Sequence, residues 1–333
     1  MQVITKDEIN AAQNLVAPYI RRTPTVTLTP PLLKTLFPDT VFSFKFELLQ
    51  LSGTFKIRGV LNNLLSQSTP PKGVTAISAG NHAIAVAMAA QMLNLPAKVV
   101  MQASANPGRV ALAKNAGAEV VFAEDGKTGF EMAHDIAASE GYLFIHPFDG
   151  TAVAHATAAI ALEMLGDAPD LDSVVVAIGG GGLSGGVAAG CRLMNPELEI
   201  IGVEPVGAMA MHESFKQNKA VTLDSVSTIA DSLAPPMTTN TTFEINRQNL
   251  SDLVSVTDED ILAAVYFAFN ELKIASEPGG VAALAALLSA RTGLQKKLAG
   301  QHVGIVLCGS NMDAESYIKT LEQGRECYEK MGF

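Results

Sequence analysis

Cysteine is scarce in this 333-residue chain, and the three that occur, Cys191, Cys308 and Cys327, lie far apart. Their spacing gives neither the paired ligands of a zinc site nor a disulfide framework, and isolated thiols suit a reducing compartment. Basic residues are outnumbered, 23 Lys and Arg against 33 Asp and Glu, for a formal net charge of -10. With no basic run and no aromatic-interleaved patch, a nucleic-acid partner is not expected. Long apolar runs are missing as well. The most apolar windows, such as Ala83 to Leu95, are Ala-rich and stop well short of the roughly 20 residues that a membrane span requires. Near Met1, Thr5-Lys6-Asp7-Glu8 reads as a capped helix start, not as a basic segment leading into an apolar stretch. A cytoplasmic protein without a membrane partner is expected. No internal repeat or low-complexity linker breaks the chain.

What is present is an ordinary globular composition, 48% hydrophobic and 17% charged, with enough apolar material for two cores. Short β-branched runs alternate with Ala-rich stretches. Residues 74–77 precede a helix expected over 80–93, 97–101 one over 107–116, and 119–123 one over 127–139. The rhythm resumes with Ser173 to Ile178 before a glycine turn and a helix over 182–194, then with 199–203, and ends on a strand over 302–308. This is the βαβ pattern of parallel sheets, apolar on both faces because helices cover both. The stretch from Lys216 to Asn249 lacks a strong period and carries Pro235-Pro236 and a Thr-rich run. It reads as a long irregular connection, either an active-site wall or a surface excursion.

Lys56 stands out, in Ser52-Gly53-Thr54-Phe55-Lys56-Ile57-Arg58-Gly59. A lysine among apolar side chains and glycines loses its proton when desolvated, and only the neutral amine forms an imine with an aldehyde. Alone, the segment better suits a lysine snorkelling from a helix face. Gly179-Gly180-Gly181-Gly182 follows a buried strand and opens a helix, so its N–H groups converge on a positive dipole end, an anion cradle. Gly180, Gly182 and Gly185 also fit a dinucleotide fingerprint, with Glu204 about 20 residues on as a ribose-binding acid, so a nicotinamide-dependent oxidoreductase stays open here. Ser78-Ala79-Gly80-Asn81-His82 marks a strand-to-helix turn that offers N–H groups to a carboxylate, or simply caps the helix. Cys308, at the end of the last strand, reads by itself as a buried small hydrophobe.

These pieces occur together with Arg22-Thr23-Pro24, Lys45-x-Glu47-x-x-Gln50, His146-Pro147-Phe148-Asp149, Glu277-Pro278 and Cys308-Gly309-Ser310-Asn311. In that order they resemble the serine/threonine dehydratase and serine racemase group of fold-type II pyridoxal-phosphate enzymes, over roughly residues 20 to 320. The resemblance implies an α/β, tryptophan synthase β-like fold of two parallel-sheet domains: 1–69 plus 149–333, with 70–148 inserted. It implies that Lys56 holds pyridoxal 5'-phosphate as a Schiff base and that Phe55 packs on it. Gly179 to Gly182 would bind its phosphate, Asn81 its ring hydroxyl, and Cys308 would face its ring nitrogen. Ser78, Ala79, Gly80, Asn81 and His82 would grip the substrate carboxylate. The implied reaction is β-elimination from a hydroxy amino acid, L-threonine or L-serine, to a 2-oxo acid and ammonia, by a homodimer. A 3-hydroxyaspartate dehydratase and a serine racemase are the alternatives on the same scaffold.

The sequence departs from that group in places. Ala79 stands where racemases carry a serine, which implies little racemisation. Gly150 replaces a common Asp, Ala154-His155-Ala156-Thr157 replaces Gly-Gln-Gly-Thr, and Ser232 replaces the glycine of Ala-Asp-Gly, all near the expected substrate pocket. A divalent cation at Glu204 and the Ala208 carbonyl is only weakly supported, because Ala210 stands where the third, carboxylate ligand would be.

Overall fold

The structure is a computed structural model describing residues 4–78, 80–103 and 105–333. Among the described residues, ten strands form two sheets: β1 (Thr25–Thr27), β2 (Val41–Phe46), β3 (Val74–Ile77), β4 (Ala97–Gln102), β5 (Glu119–Ala123), β6 (Leu143–Phe144), β7 (Ser173–Ala177), β8 (Glu199–Pro205), β9 (Asp252–Val256) and β10 (His302–Leu307). The larger sheet has the order β1-β2-β10-β7-β8-β9, and the smaller β5-β4-β3-β6. Every pairing is parallel except β1 with β2.

All residues of β3 and β7 are buried, as required of parallel strands covered by helices on both faces. One core spreads over the larger sheet, where the helix Ala282–Leu288 is buried on every side. A second core packs the smaller sheet against the helix Asn81–Met92 and the helix Lys56–Leu65. Ser78 follows β3, Gly179 lies two residues past β7, and Cys308 follows β10. The carboxyl ends of the strands, where ligands bind in open α/β sheets, thus carry the motifs.

The expected helices appear with ends moved by a residue or two, as Pro107–Asn115, Gly126–Glu140 and Gly182–Met194. Thr5 does cap the helix Lys6–Val16, in a capping box with Glu8. The stretch 216–249 is less irregular than its composition implies, because it ends in the helix Asn240–Asn249. That helix starts from a second capping box, Thr239 with Thr242, and buries Phe243, Ile245 and Asn246. Its polar composition hides the period, while the Thr-x-x-Thr spacing was the available signal.

Candidate active site

Lys56 is the first residue of its helix, and the chain before it is tied to the strand end that carries Cys308. Thr54 bridges Gly309, the Phe55 N–H donates to the Cys308 carbonyl at 3.3 Å, and the Ser310 N–H donates to the Gly53 carbonyl at 2.9 Å. Gly53 has φ +70°, and a Cβ there would lie 2.3 Å from Asn311 Oδ1, so glycine is needed for both conformation and space. Lys56 Nζ donates to the Pro147 carbonyl at 2.6 Å and lies 5.2 Å from the centre of the Phe55 ring. Burial lowers its pKa from 10.5 to about 8, against the opposing pull of Glu277.

Lys56 faces a cleft whose walls include Asn81, Gly179 to Gly182, Ser232, Glu277 and Cys308. The glycines close against Phe148. A Cβ on Gly180 would sit 2.3 Å from the Phe148 ring, and one on Gly182 would sit 2.4 Å from its carbonyl oxygen. Side chains are therefore excluded from the turn, which leaves backbone N–H groups at the start of the helix Gly182–Met194.

On the opposite wall, Asn81 donates to Glu277 Oε1 and accepts from Asn311 Nδ2 at 2.8 Å. Glu277 is 2% exposed, and burial pushes its carboxyl pKa up, against the lowering pull of Arg109. Arg109, from the smaller-sheet side, donates to both carboxylate oxygens of Asp231 and to the Asn311 carbonyl, and lies 3.5 Å from Glu277 Oε2. It also packs on the turn after β3, since a Cβ on Gly80 would meet its guanidinium at 3.0 Å. Ser78 Oγ accepts from the Gly80 N–H at 3.1 Å. Cys308 is buried, and burial, then Glu277, push its thiol well above the ordinary range, so it stays neutral.

Two histidines stand behind Lys56. His82 is 3% exposed, and its Nε2 donates to the Ile145 carbonyl at 2.9 Å. Burial, then Lys56, hold its pKa down at about 3. His146 Nδ1 accepts from the N–H groups of Phe148 and Asp149, and burial lowers its pKa to about 4.

Beneath the site lies a charge cluster whose arrangement in space the sequence does not reveal. Arg58 makes paired hydrogen bonds of 2.8 and 2.9 Å to both Glu47 and Glu163, and Lys45 donates to Glu163 at 2.6 Å. All four side chains are buried. Arg58 thereby joins the lysine helix to the end of β2 and to the helix Thr151–Asp167. The available signal was a set of charges inside otherwise apolar elements.

Glu204 faces the start of a helix: Oε1 accepts from the Met211 N–H at 2.7 Å, and Oε2 from the His212 N–H at 2.8 Å. His212 Nδ1 lies 2.6 Å from the same Oε2. Glu204 thus binds the first N–H groups of the helix Ala210–Gln217, and Ala208 beside it is buried. His155 lies 3.9 Å from Glu8, away from the cleft lining. Ala79 lies outside the described residues. Arg109 and Asp231 are the functional candidates that sequence reasoning missed; nothing local marks a surface helix arginine as reaching a loop 122 residues away.

A partly buried lysine of lowered pKa, a side-chain-free anion cradle and a neutral thiol around one cleft fit a phosphorylated aldehyde cofactor. Residues 16–309 match the family model described as pyridoxal-phosphate dependent enzyme. The chain belongs to that family, whose enzymes use pyridoxal phosphate, and it has the fold of the fold-type II members. It is 47% identical over 304 residues to a phenylserine dehydratase of Ralstonia pickettii, covering 90% of this chain and 92% of that one. It is 33% identical over 327 residues to an L-threonine ammonia-lyase of Thermotoga maritima, covering 97% and 79%. The solved structure of maize serine racemase superposes with a TM-score of 0.89 at 30% identity, covering 98% of this chain and all of that one. These relatives put the chain in the ammonia-lyase and racemase branch of the family.

Proposed function

We propose that this protein is an ammonia-lyase that removes the β-hydroxyl of a 3-hydroxy amino acid with an apolar β-substituent, an arylserine ahead of L-threonine or L-serine, releasing a 2-oxo acid and ammonia. The observation that carries the substrate class is the cleft wall. Phe148, Leu233 and Pro235 supply apolar surface, and Lys56 is the one cation among the described residues lining it. Arg109 is already committed to Asp231 and Glu277. A β-carboxylate, as in 3-hydroxyaspartate, would therefore meet no free positive partner, and burying it unpaired is costly. The phenylserine dehydratase relative supports the same reading.

Lys56 would carry the cofactor, the N–H groups of Gly179 to Gly182 its phosphate, Asn81 its ring oxygen, and Cys308 would face its ring nitrogen. Phe55 would pack beside it. Bound pyridoxal phosphate supplies the sink for the electron pair left when the α-proton departs. Lys56, with a pKa of about 8, has a sizeable neutral fraction near pH 8 and takes that proton on Nζ. The Cys308 thiol cannot fix a proton on the ring as a carboxylate would, which favours loss of the β-hydroxyl as water over transamination. The enamine released takes up a proton at its β-carbon, and water then displaces ammonia to leave the 2-oxo acid. Ser78, the backbone of Ala79 and Gly80, and the N–H groups of Asn81 and His82 would orient the substrate carboxylate. Ala79 has no side-chain proton to return to the opposite face, so racemisation would be minor. The two sheets support the division into 1–69 plus 149–333 and an inserted 70–148, with the cleft between them.

The test is release of 2-oxo acid and ammonia by cofactor-loaded protein from 3-phenylserine, threonine, serine and 3-hydroxyaspartate, each as separated stereoisomers. The expected kcat/KM on one phenylserine isomer exceeds that on threonine by about tenfold or more, a usual difference for a filled against an underfilled apolar pocket. Preference for 3-hydroxyaspartate, interconversion of serine enantiomers as the main activity, or turnover by Lys56→Ala would overturn the proposal.

A further inference from the structure

A small cavity lies behind Lys56, on the side away from the glycine cradle, lined among others by His82, His146, Pro147 and Val153. Its free space is about 10 Å³, close to the ~10–15 Å³ that a single water needs. The polar groups around it have fixed roles. His82 Nε2 faces a carbonyl, which only accepts, so that nitrogen carries the proton and Nδ1 is a bare acceptor. Nδ1 is buried and has no hydrogen-bond partner among the described residues. His146 accepts two N–H groups on Nδ1, so its proton is on Nε2, a donor. Lys56 Nζ has one proton committed to the Pro147 carbonyl at 2.6 Å.

We propose that this cavity holds one ordered water that accepts from Lys56 and His146 and donates to His82 Nδ1, making His82 a positioning residue for the Lys56 amine. Three partners is the usual number for a buried water, and leaving Nδ1 bare would waste a buried acceptor. The consequence is directional. A neutral amine has two N–H bonds and one lone pair. With one N–H held by Pro147 and the other by the water, the lone pair has only the cleft to point into, where an α-proton would be presented. The groups facing Nζ are then Cys308 and Glu277 from the cleft side and His82 and His146 from behind. The inference rests on the reading of Lys56 as the group that moves the α-proton.

Crystal structures of the full chain, with and without cofactor, at a resolution that reveals buried waters test the site directly. One water within hydrogen-bond reach of His82 Nδ1 is expected in both, within reach of Lys56 Nζ in the cofactor-free form, and none in His82→Leu. In cofactor-free protein, the pH midpoint of Lys56 modification by trinitrobenzenesulfonate, read by peptide mass spectrometry, should move down in His82→Leu, because an acceptor that favours the ammonium is lost. His82→Asn, which keeps an acceptor, should move it less. In loaded enzyme, His82→Leu should lower kcat by up to about 100-fold, the loss expected for a misaimed base, with KM little changed. A dry cavity in the wild-type protein overturns the proposal, as does a His82→Leu protein with wild-type kcat and midpoint. Should His82→Leu not fold, the wild-type density still decides. Should the proposed substrates give no turnover, the water and the Lys56 midpoint are still readable, so failure of the inference and failure of the proposed reaction remain distinct.

Discussion

Replacing Arg58 by methionine removes one of two cations from a cluster that is charge-balanced as built: Lys45 and Arg58 against Glu47 and Glu163, all 0–3% exposed at the side chain. The variant leaves two buried carboxylates facing a single ammonium. Breaking a buried pair in this way costs about 3–5 kcal/mol, because the surviving charge has neither partner nor water. At about 2.1 cal/mol/K of unfolding entropy per residue, that is roughly 4–7 °C in unfolding midpoint for a chain of 333 residues. The pH dependence has a definite sign. Burial alone would raise the Glu163 pKa, but the hydrogen bonds and charges of Arg58 and Lys45 outweigh it and leave it lowered. In the wild type, this carboxylate therefore contributes stability above its ordinary pKa of about 4.3 that is lost as pH falls below it. Without Arg58 the carboxylates protonate more readily, so the gap between variant and wild type should narrow from pH 7.5 to pH 5. Calorimetry or urea unfolding at both pH values reads this. Arg58→Met with Glu47→Gln, which restores neutrality, should recover at least half the loss. A single-variant loss below about 1 kcal/mol, the level of an exposed pair, or a double variant no better than the single, would refute the reasoning.

Gly180→Ala places a methyl 2.3 Å from the Phe148 ring, and overpacking of about 1–3 kcal/mol at the cradle should weaken cofactor binding by about tenfold or more; an unchanged Kd in a cofactor titration would contradict the fit. Asp231→Asn should be mild, within about fivefold in KM, because Asp231 is solvent-exposed. Arg109→Met should be severe, because it strips the buried Glu277 of its cation; equal effects would show that the two residues act only as a pair. In cofactor-free protein, the lowered pKa of Lys56 means that the unfolded chain holds a proton the folded one lacks between pH 8 and 10.5. Through this group stability should rise with pH across that window, and Lys56→Met should flatten the slope measured by chemical unfolding.

Local sequence carried the βαβ rhythm, because buried parallel strands must be apolar on both faces and the turns after them need small residues. It also marked Lys56 and the glycine run, whose chemistry is visible from nearest neighbours: a cation among apolar side chains, and backbone freed of Cβ atoms before a helix. The helix Asn240–Asn249 escaped because its buried face is built on Phe243, Ile245 and a buried Asn246, too few apolar residues to show a period. Glu204 stayed ambiguous for a related reason. An acid at a strand end looks the same whether its oxygens face a ligand or the N–H groups of Met211 and His212, and only the chain's return path decides which. The same holds for Arg109, Asp231, Glu277 and the Arg58 cluster. Each pairs groups far apart in sequence, and the sign and cost of burying them depend on distance and solvent exclusion. Sequence by itself determined which chemistry the chain carries; the tertiary structure decided which charges are neutralised, which acceptor is left bare and where the lysine's lone pair can point, because electrostatics and hydrogen bonding act through space rather than along the chain.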